Sequence, residues 1–210
     1  MTSRRFHTTL LWLWILALVV SAIGTADPFT WMLEVAPAIL GVIALAATYR
    51  RFPFTNLVYG LIFIHSLILM LGGHYTYAKV PLGFWMQDVF HFSRNHYDRI
   101  GHFAQGFVPA MIAREIFIRR NVINGKAWRA TLIVAVCLAI SALYELIEWR
   151  TSVMSGAAAD AFLGTQGDVW DTQNDMFFAL VGAISALILL GRVHDRQLGR
   201  IDDPERQRRD

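Results

Sequence analysis

Charge is scarce in this sequence. Only 17% of the residues are Asp, Glu, Lys or Arg, against about 25% in an average soluble domain, too few to coat a water-facing globule. Cysteine is nearly missing. Cys137 stands alone, which excludes an intramolecular disulfide, and its place inside an apolar run makes it a small packed hydrophobe with no thiol chemistry to suggest. No internal repeat and no low-complexity tract interrupts the chain. What is present in quantity is apolar: 55% of the 210 residues are hydrophobic and the mean hydropathy is +0.42. These residues fall into six runs of roughly 17–23, each about the length a helix needs to cross the hydrocarbon core. Disorder, a disulfide scaffold and an ordinary cytosolic enzyme are excluded; the pattern is that of a polytopic membrane protein.

The runs predict an all-α membrane protein with six transmembrane helices in a bundle, over Thr9–Thr25, Phe29–Tyr49, Phe54–Gly73, Asp98–Arg120, Trp128–Trp149 and Trp170–Gly191. Residues 1–194 form one polytopic domain, and 195–210 a charged cytoplasmic tail that frays in water. The Thr76–Arg94 link carries Phe84, Trp85, Met86, Phe90 and Phe92 among polar residues, which suits a short segment in the outer interface and equally a plain aromatic anchor. The first run, with Arg4-Arg5 before it and Gly24-Thr25-Ala26 at its end, has the outline of a secretory signal. Its apolar part is long for one, so a retained helix is the favoured reading.

Orientation follows the basic residues. The N-terminus, the second-to-third and fourth-to-fifth links and the tail hold fifteen Lys and Arg against six acids; the opposite side holds four against ten. Both termini are therefore expected in the cytoplasm. The net charge of +3 does not mark a nucleic-acid binder, because the basic residues lie in short clusters between apolar runs and not along one face.

With orientation set, the costly polar residues sort by depth. The fourth helix enters from outside with Asp98 and, four residues on and on the same face, His102. The fifth leaves with Glu145 and Glu148, three apart. The sixth enters with Asp168, Asp171 and Asp175, whose spacing is one helical stripe. His74 closes the third helix at this level, and Glu34 lies within about two turns of the start of the second. The inner half of the membrane is expected to be nearly free of such groups: His7 and His194 read as cytoplasmic flank residues, and His65 as a buried, hydrogen-bonded histidine.

Carboxylates at that depth are expensive unless they are paired, neutralised or bound to a cation. Arg94, Arg99 and Arg150 are too few to neutralise Glu145, Glu148, Asp168, Asp171 and Asp175. Either several are protonated or a divalent cation lies among them, and imidazole mixed with carboxylate suits zinc, manganese or iron better than calcium. The ligand set so expected is His102, Glu148, Asp171, Asp175 and Asp168, with Glu145, His96 and Asp98 as candidate catalytic groups. The plainer readings stay open: Asp168 and Asp171 as N-terminal helix caps, Glu145 and Glu148 as partners of Arg150 or Arg99, and His96 as a loop residue.

Four segments carry a family resemblance: Gly73–Tyr77 (GHYTY), Asn95–Phe103 (NHYDRIGHF), Tyr144–Trp149 (YELIEW) and Gln166–Met176 (QGDVWDTQNDM). In this order they resemble the YjdF family of bacterial inner-membrane proteins, which implies a multi-pass protein of the bacterial inner membrane. A looser similarity, to VanZ-like membrane proteins, rests on Asp98/His102, Glu145 or Glu148, and Asp171/Asp175. Those proteins often carry a Gly-Arg pair before their last acidic motif, where this sequence has Gln166-Gly167. Neither resemblance implies a settled reaction.

Three functions compete at this stage. The first is a metal-dependent hydrolase or transferase working at the outer interface on membrane lipid or a lipid-linked envelope substrate. The second is a proton- or cation-coupled transporter, against which stands the lack of paired broken helices in repeated halves. The third is a non-enzymatic accessory protein of the envelope.

Overall fold

A computed structural model describes residues 3–155 and 166–201. Asp160 and the last part of the tail, 202–210, lie outside the described residues. Seven α-helices make up the described chain: α1 (Ser3–Ala22), α2 (Pro28–Thr48), α3 (Asn56–Tyr75), α4 (Pro81–Phe90), α5 (Tyr97–Arg119), α6 (Lys126–Ser155) and α7 (Asp171–Ile201), with a 3₁₀ turn at Tyr77–Lys79. No strand occurs among the described residues. Five helices, α1, α2, α3, α6 and α7, are long and apolar enough to cross a membrane.

The helix starts follow from local chemistry. Asp27 caps α2: its carboxylate accepts from the Phe29 N–H at 3.0 Å and the Thr30 hydroxyl at 2.8 Å, with Pro28 in the first turn. Those bonds, the Thr30 hydroxyl foremost, hold the Asp27 carboxyl below the ordinary aspartate range. Thr55 caps α3, accepting from the Val58 N–H at 3.4 Å, and Pro81 opens α4.

α5 is the axis of the assembly. It packs against α3, α6 and most extensively α7, and Gly101, Ala104, Gly106, Ala110 and Ala113 are among its buried residues. Its charged residues keep it from counting among the strongly apolar helices, yet they do not face lipid, because its neighbours surround and pair them. At the α5–α7 crossing the backbones nearly touch. A Cβ on Gly106 would lie 1.8 Å from the Ala179 carbonyl oxygen, and one on Gly182 would lie 2.1 Å from that of Phe103. Only glycine permits this approach. α1 joins the bundle by packing on α3, with Trp14 buried beside Val35, Ala38 and Met70. Cys137 is fully buried among Met111, Ile133 and Ala183.

Several expectations need adjustment. The aromatic link contains a helix, α4, whose Leu82, Phe84, Trp85, Val89 and Phe90 are exposed. α6 continues to Ser155, and α7 passes through the 194/195 position to Ile201; His194 and Leu198, four apart, are both buried and extend its packed face. At about 1.5 Å per residue, α7 is about 46 Å long, well beyond the roughly 30 Å hydrocarbon thickness.

The end of the bundle that holds His7, Glu115 and His194 is more polar than the sequence suggested, and His194 is no flank residue. It is fully buried, and its Nε2 lies 2.9 Å from Glu115 Oε2. The Glu115 carboxylate, 0% exposed, also accepts from the Thr55 N–H at 3.0 Å, the Thr55 hydroxyl at 2.8 Å and Arg119 at 2.8 Å. Arg114 reaches Nδ1 of His194 at 3.1 Å and Asp195 at 2.6 Å, and Arg119 lies over the Phe52 ring at 3.9 Å. His7 is likewise engaged, with Tyr49 at 2.9 Å and Asn56 at 2.8 Å. His65 departs in the other direction: its Nε2 is buried without a hydrogen-bond partner.

Candidate functional site

At the opposite end, α5, α6 and α7 bring their carboxylates together around one imidazole. His102 Nε2 lies 3.3 Å from Asp98 Oδ1, one turn up α5, and 3.8 Å from Asp175 Oδ2 of α7. Its Nδ1 lies 3.8 Å from Glu145 Oε1 of α6. One ligand atom from each of Asp98, His102 and Asp175 falls within 4.8 Å of the other two. His102 is 5% exposed, Asp175 1% and Glu145 7%.

The tautomer of His102 can be read from its neighbour. Nδ1 is 3.0 Å from the Gln105 amide oxygen, an acceptor only, so Nδ1 carries a proton and donates. In the neutral ring Nε2 then turns a lone pair toward two carboxylates. Three acceptors facing one another repel unless a proton or a cation stands between them. Asp175 Oδ1 and Glu145 Oε1 sharpen the point, since both are buried with no hydrogen-bond partner. Orphaned buried carboxylate oxygens are costly.

A cavity of about 200 Å³ opens beside this cluster. Its polar walls include Asp98, His102, Gln105, Glu148, Glu34 and Tyr144. Glu34, 3% exposed, accepts from the Tyr144 hydroxyl at 3.4 Å, and the Tyr144 and His102 rings meet edge-on at 6.3 Å. Pro37 and Pro109 also line it. Each lacks an N–H, which leaves the Leu33 and Gln105 carbonyls without their usual helical donors.

The other sequence-derived candidates fall outside this centre. Asp171 is held by Arg94 at 2.6 Å, and Asp168 by Arg94 at 3.1 Å and Arg99 at 3.2 Å. Asp168 also accepts from the Trp170 N–H at 3.0 Å and from Asn174 at 3.2 Å. The Trp170 amide first, and then the two arginines, hold its carboxyl below the ordinary range. These two acids thus bind the segment before α7 to the segment before α5. Gln166 adds to that seam, donating to the Asn95 carbonyl at 2.8 Å. His96 lies at the same rim, its ring edge-on to Phe92 at 5.1 Å. Burial, reinforced by Arg99 and Arg94, holds its imidazole below the usual histidine range, so it is neutral at neutral pH. His74 is spent on structure, its Nδ1 lying 2.9 Å from the Ser21 carbonyl oxygen.

Sequence reasoning therefore listed the acids, but not their division into an arginine-paired rim and an unpaired centre. It also gave no part to Gln105 and Tyr144. The first lies three residues after His102, on the same face; the second precedes Glu145 and carries no spacing signal.

Comparison with known proteins bears on this division. Residues 6–196 match the family described as "Predicted membrane protein (DUF2238)". Over 185 residues the chain is 55% identical to the protein named inner membrane protein YjdF of Escherichia coli strain K12, covering 88% of each chain. No solved structure matches.

Proposed function

We propose, from the premise that this chain belongs to the DUF2238 family of membrane proteins, that its outer cluster is a divalent-metal site serving chemistry on a lipid or lipid-linked envelope substrate. The protein is a multi-pass inner-membrane protein. In this reading α5 is a sixth crossing and both termini are cytoplasmic, an orientation supported by the excess of Lys and Arg on one side of the bilayer.

The observation that carries the reading is the convergence of His102 Nε2, Asp98 Oδ1 and Asp175 Oδ2 while Asp175 Oδ1 and Glu145 Oε1 lack a hydrogen-bond partner. Asp98, His102 and Asp175 would hold the ion, and Glu145 and Glu148 lie next to them to complete its shell. Gln105 fixes the histidine tautomer, as outer hydrogen-bond partners of metal ligands do. A bound ion of this kind polarises a phosphoryl or carbonyl oxygen, or lowers the pKa of water. Glu145, with one oxygen free of hydrogen bonds, is the nearest group for proton transfer; His96, neutral at the rim, is the next. Asp168 and Asp171 support the site from the arginine-paired rim and are not assigned to the ion.

Elemental analysis of the purified protein tests this. Stoichiometric zinc, manganese or iron is expected in the native chain, lost in His102→Ala and Asp175→Asn and retained in Asp171→Asn. Metal that persists in both of the first two variants, or native protein that stays metal-free after growth in supplemented medium, would end the proposal.

A further inference from the structure

α2 packs on α3 and does not pack closely on α5. The gap between them is a groove of about 500 Å³, larger than the polar cavity above it. Its walls are almost wholly apolar: Ala38, Gly41, Ala44 and Leu45 of α2 face Ile112 and Ile116 of α5 across a floor provided by α3. Pro37, Ala44 and Thr48 along its α2 edge are exposed, so the groove opens sideways, in the direction lipid occupies. Its far end is at Phe52 and Arg120.

Toward the carboxylates the groove abuts the polar cavity. Pro37, His65 and Leu69 line both spaces, so the two lie side by side at these three residues. At that junction lies His65 Nε2, buried and without a hydrogen-bond partner. An apolar slot open to the bilayer, with a polar chamber adjoining one end, matches one molecule with a hydrocarbon chain and a polar head. Water does not fill such a slot, because its walls offer too few polar partners.

We infer that this groove takes one acyl chain of an outer-leaflet phospholipid whose phosphate headgroup lies in the carboxylate cavity, with His65 Nε2 facing the polar linkage between head and chain. The phosphate part rests on the metal reading above, since a cation is what lets an anionic head enter a chamber walled by acids. The chain part rests on the groove alone. Binding in this manner leaves the lipid in the membrane.

Photo-crosslinking in nanodiscs tests both parts, using the full-length protein and a phosphatidylglycerol that carries a diazirine midway along one acyl chain. Crosslinks are expected on the α2 and α5 segments around Ala44, Ile112 and Ile116. Gly41 lines the slot and a Cβ on it meets nothing within 4 Å, so Gly41→Phe is the substitution chosen to obstruct the slot. It is expected to cut those crosslinks about tenfold while metal content stays at the native level. Labelling spread evenly over lipid-facing residues such as Leu16 and Ile188, or unchanged in Gly41→Phe, would overturn the groove assignment whatever the metal result. A diacylglycerol with the same diazirine is expected to label the groove weakly; equal labelling would overturn the phosphate assignment.

Discussion

At the scale of single residues, the protein treats its buried acids in two opposite ways. Glu115 is saturated with donors from Thr55, Arg119 and His194, whereas Asp175 and Glu145 each keep an oxygen with no hydrogen-bond partner. Saturation marks structure, because breaking one member of a buried charged network strands the others. Glu115→Ala is therefore expected to destabilise the protein by about 3–5 kcal/mol, read as a drop in detergent melting temperature, while Glu145→Gln should be neutral or stabilising. At the rim the sign of the pH effect follows from a depressed carboxyl. Asp168 contributes stability above its unfolded value near 3.8 and loses it as pH falls through the lower folded value. Hydrogen-exchange protection at 166–170, taken relative to the intrinsic rate at each pH, should thus keep its Asp168 contribution between neutral pH and about 5 and lose it only at stronger acidity. Asp98 and His102 were legible as a pair because four residues make one helical turn. The Arg94–Asp171 bond was not, because it spans 77 positions. The Glu115–His194 contact was hidden for the same reason, since they lie 79 positions apart and nothing local in the sequence says that they touch.

Among the elements, the apolar runs located α1, α2, α3, α6 and α7 from hydropathy alone, since each turns much of its surface outward and must be apolar around most of its circumference. α5 was legible as a run but not as the centre, a role that depends on small residues and paired charges. Helix ends were the weakest part. The extension of α7 past Gly191 depends on the burial of His194 and Leu198, which only the partner helices provide. The glycines differ sharply in consequence. Gly106→Ala and Gly182→Ala each place a methyl against a backbone carbonyl, and we expect either to prevent recovery of monodisperse protein or to cost several kcal/mol, in the manner of overpacked cores. Gly191→Ala meets open space and should be neutral, or stabilising by about 0.5–1 kcal/mol through helix propensity. Fluorescence-detected size exclusion with a thermal ramp separates these outcomes.

For the whole molecule, the lone buried cysteine is an experimental convenience, since Cys137 is inaccessible and leaves the native chain silent to thiol reagents. Ser93 and Asn124 are both exposed and flank α5 on opposite ends. Ser93→Cys is expected to react with a membrane-impermeant maleimide in intact spheroplasts, and Asn124→Cys only after lysis. The reverse pattern would invert the proposed topology, and equal reaction would remove α5 as a crossing. Orientation could be argued from sequence because lysine and arginine distribute asymmetrically on their own account. The cavity and the groove could not, since both are spaces left between helices.

The glycine crossing of α5 and α7 also has a mechanical meaning. Asp175 and His194 are nineteen positions apart on one rod, about 28 Å, and their counterparts His102 and Glu115 are thirteen apart on the other, about 20 Å. The two rods are thus indexed against each other at both extremities and pinned between them where their backbones touch. Sliding either by a single turn would unseat the imidazoles of His102 and His194 together, so the pair has one alignment, enforced twice.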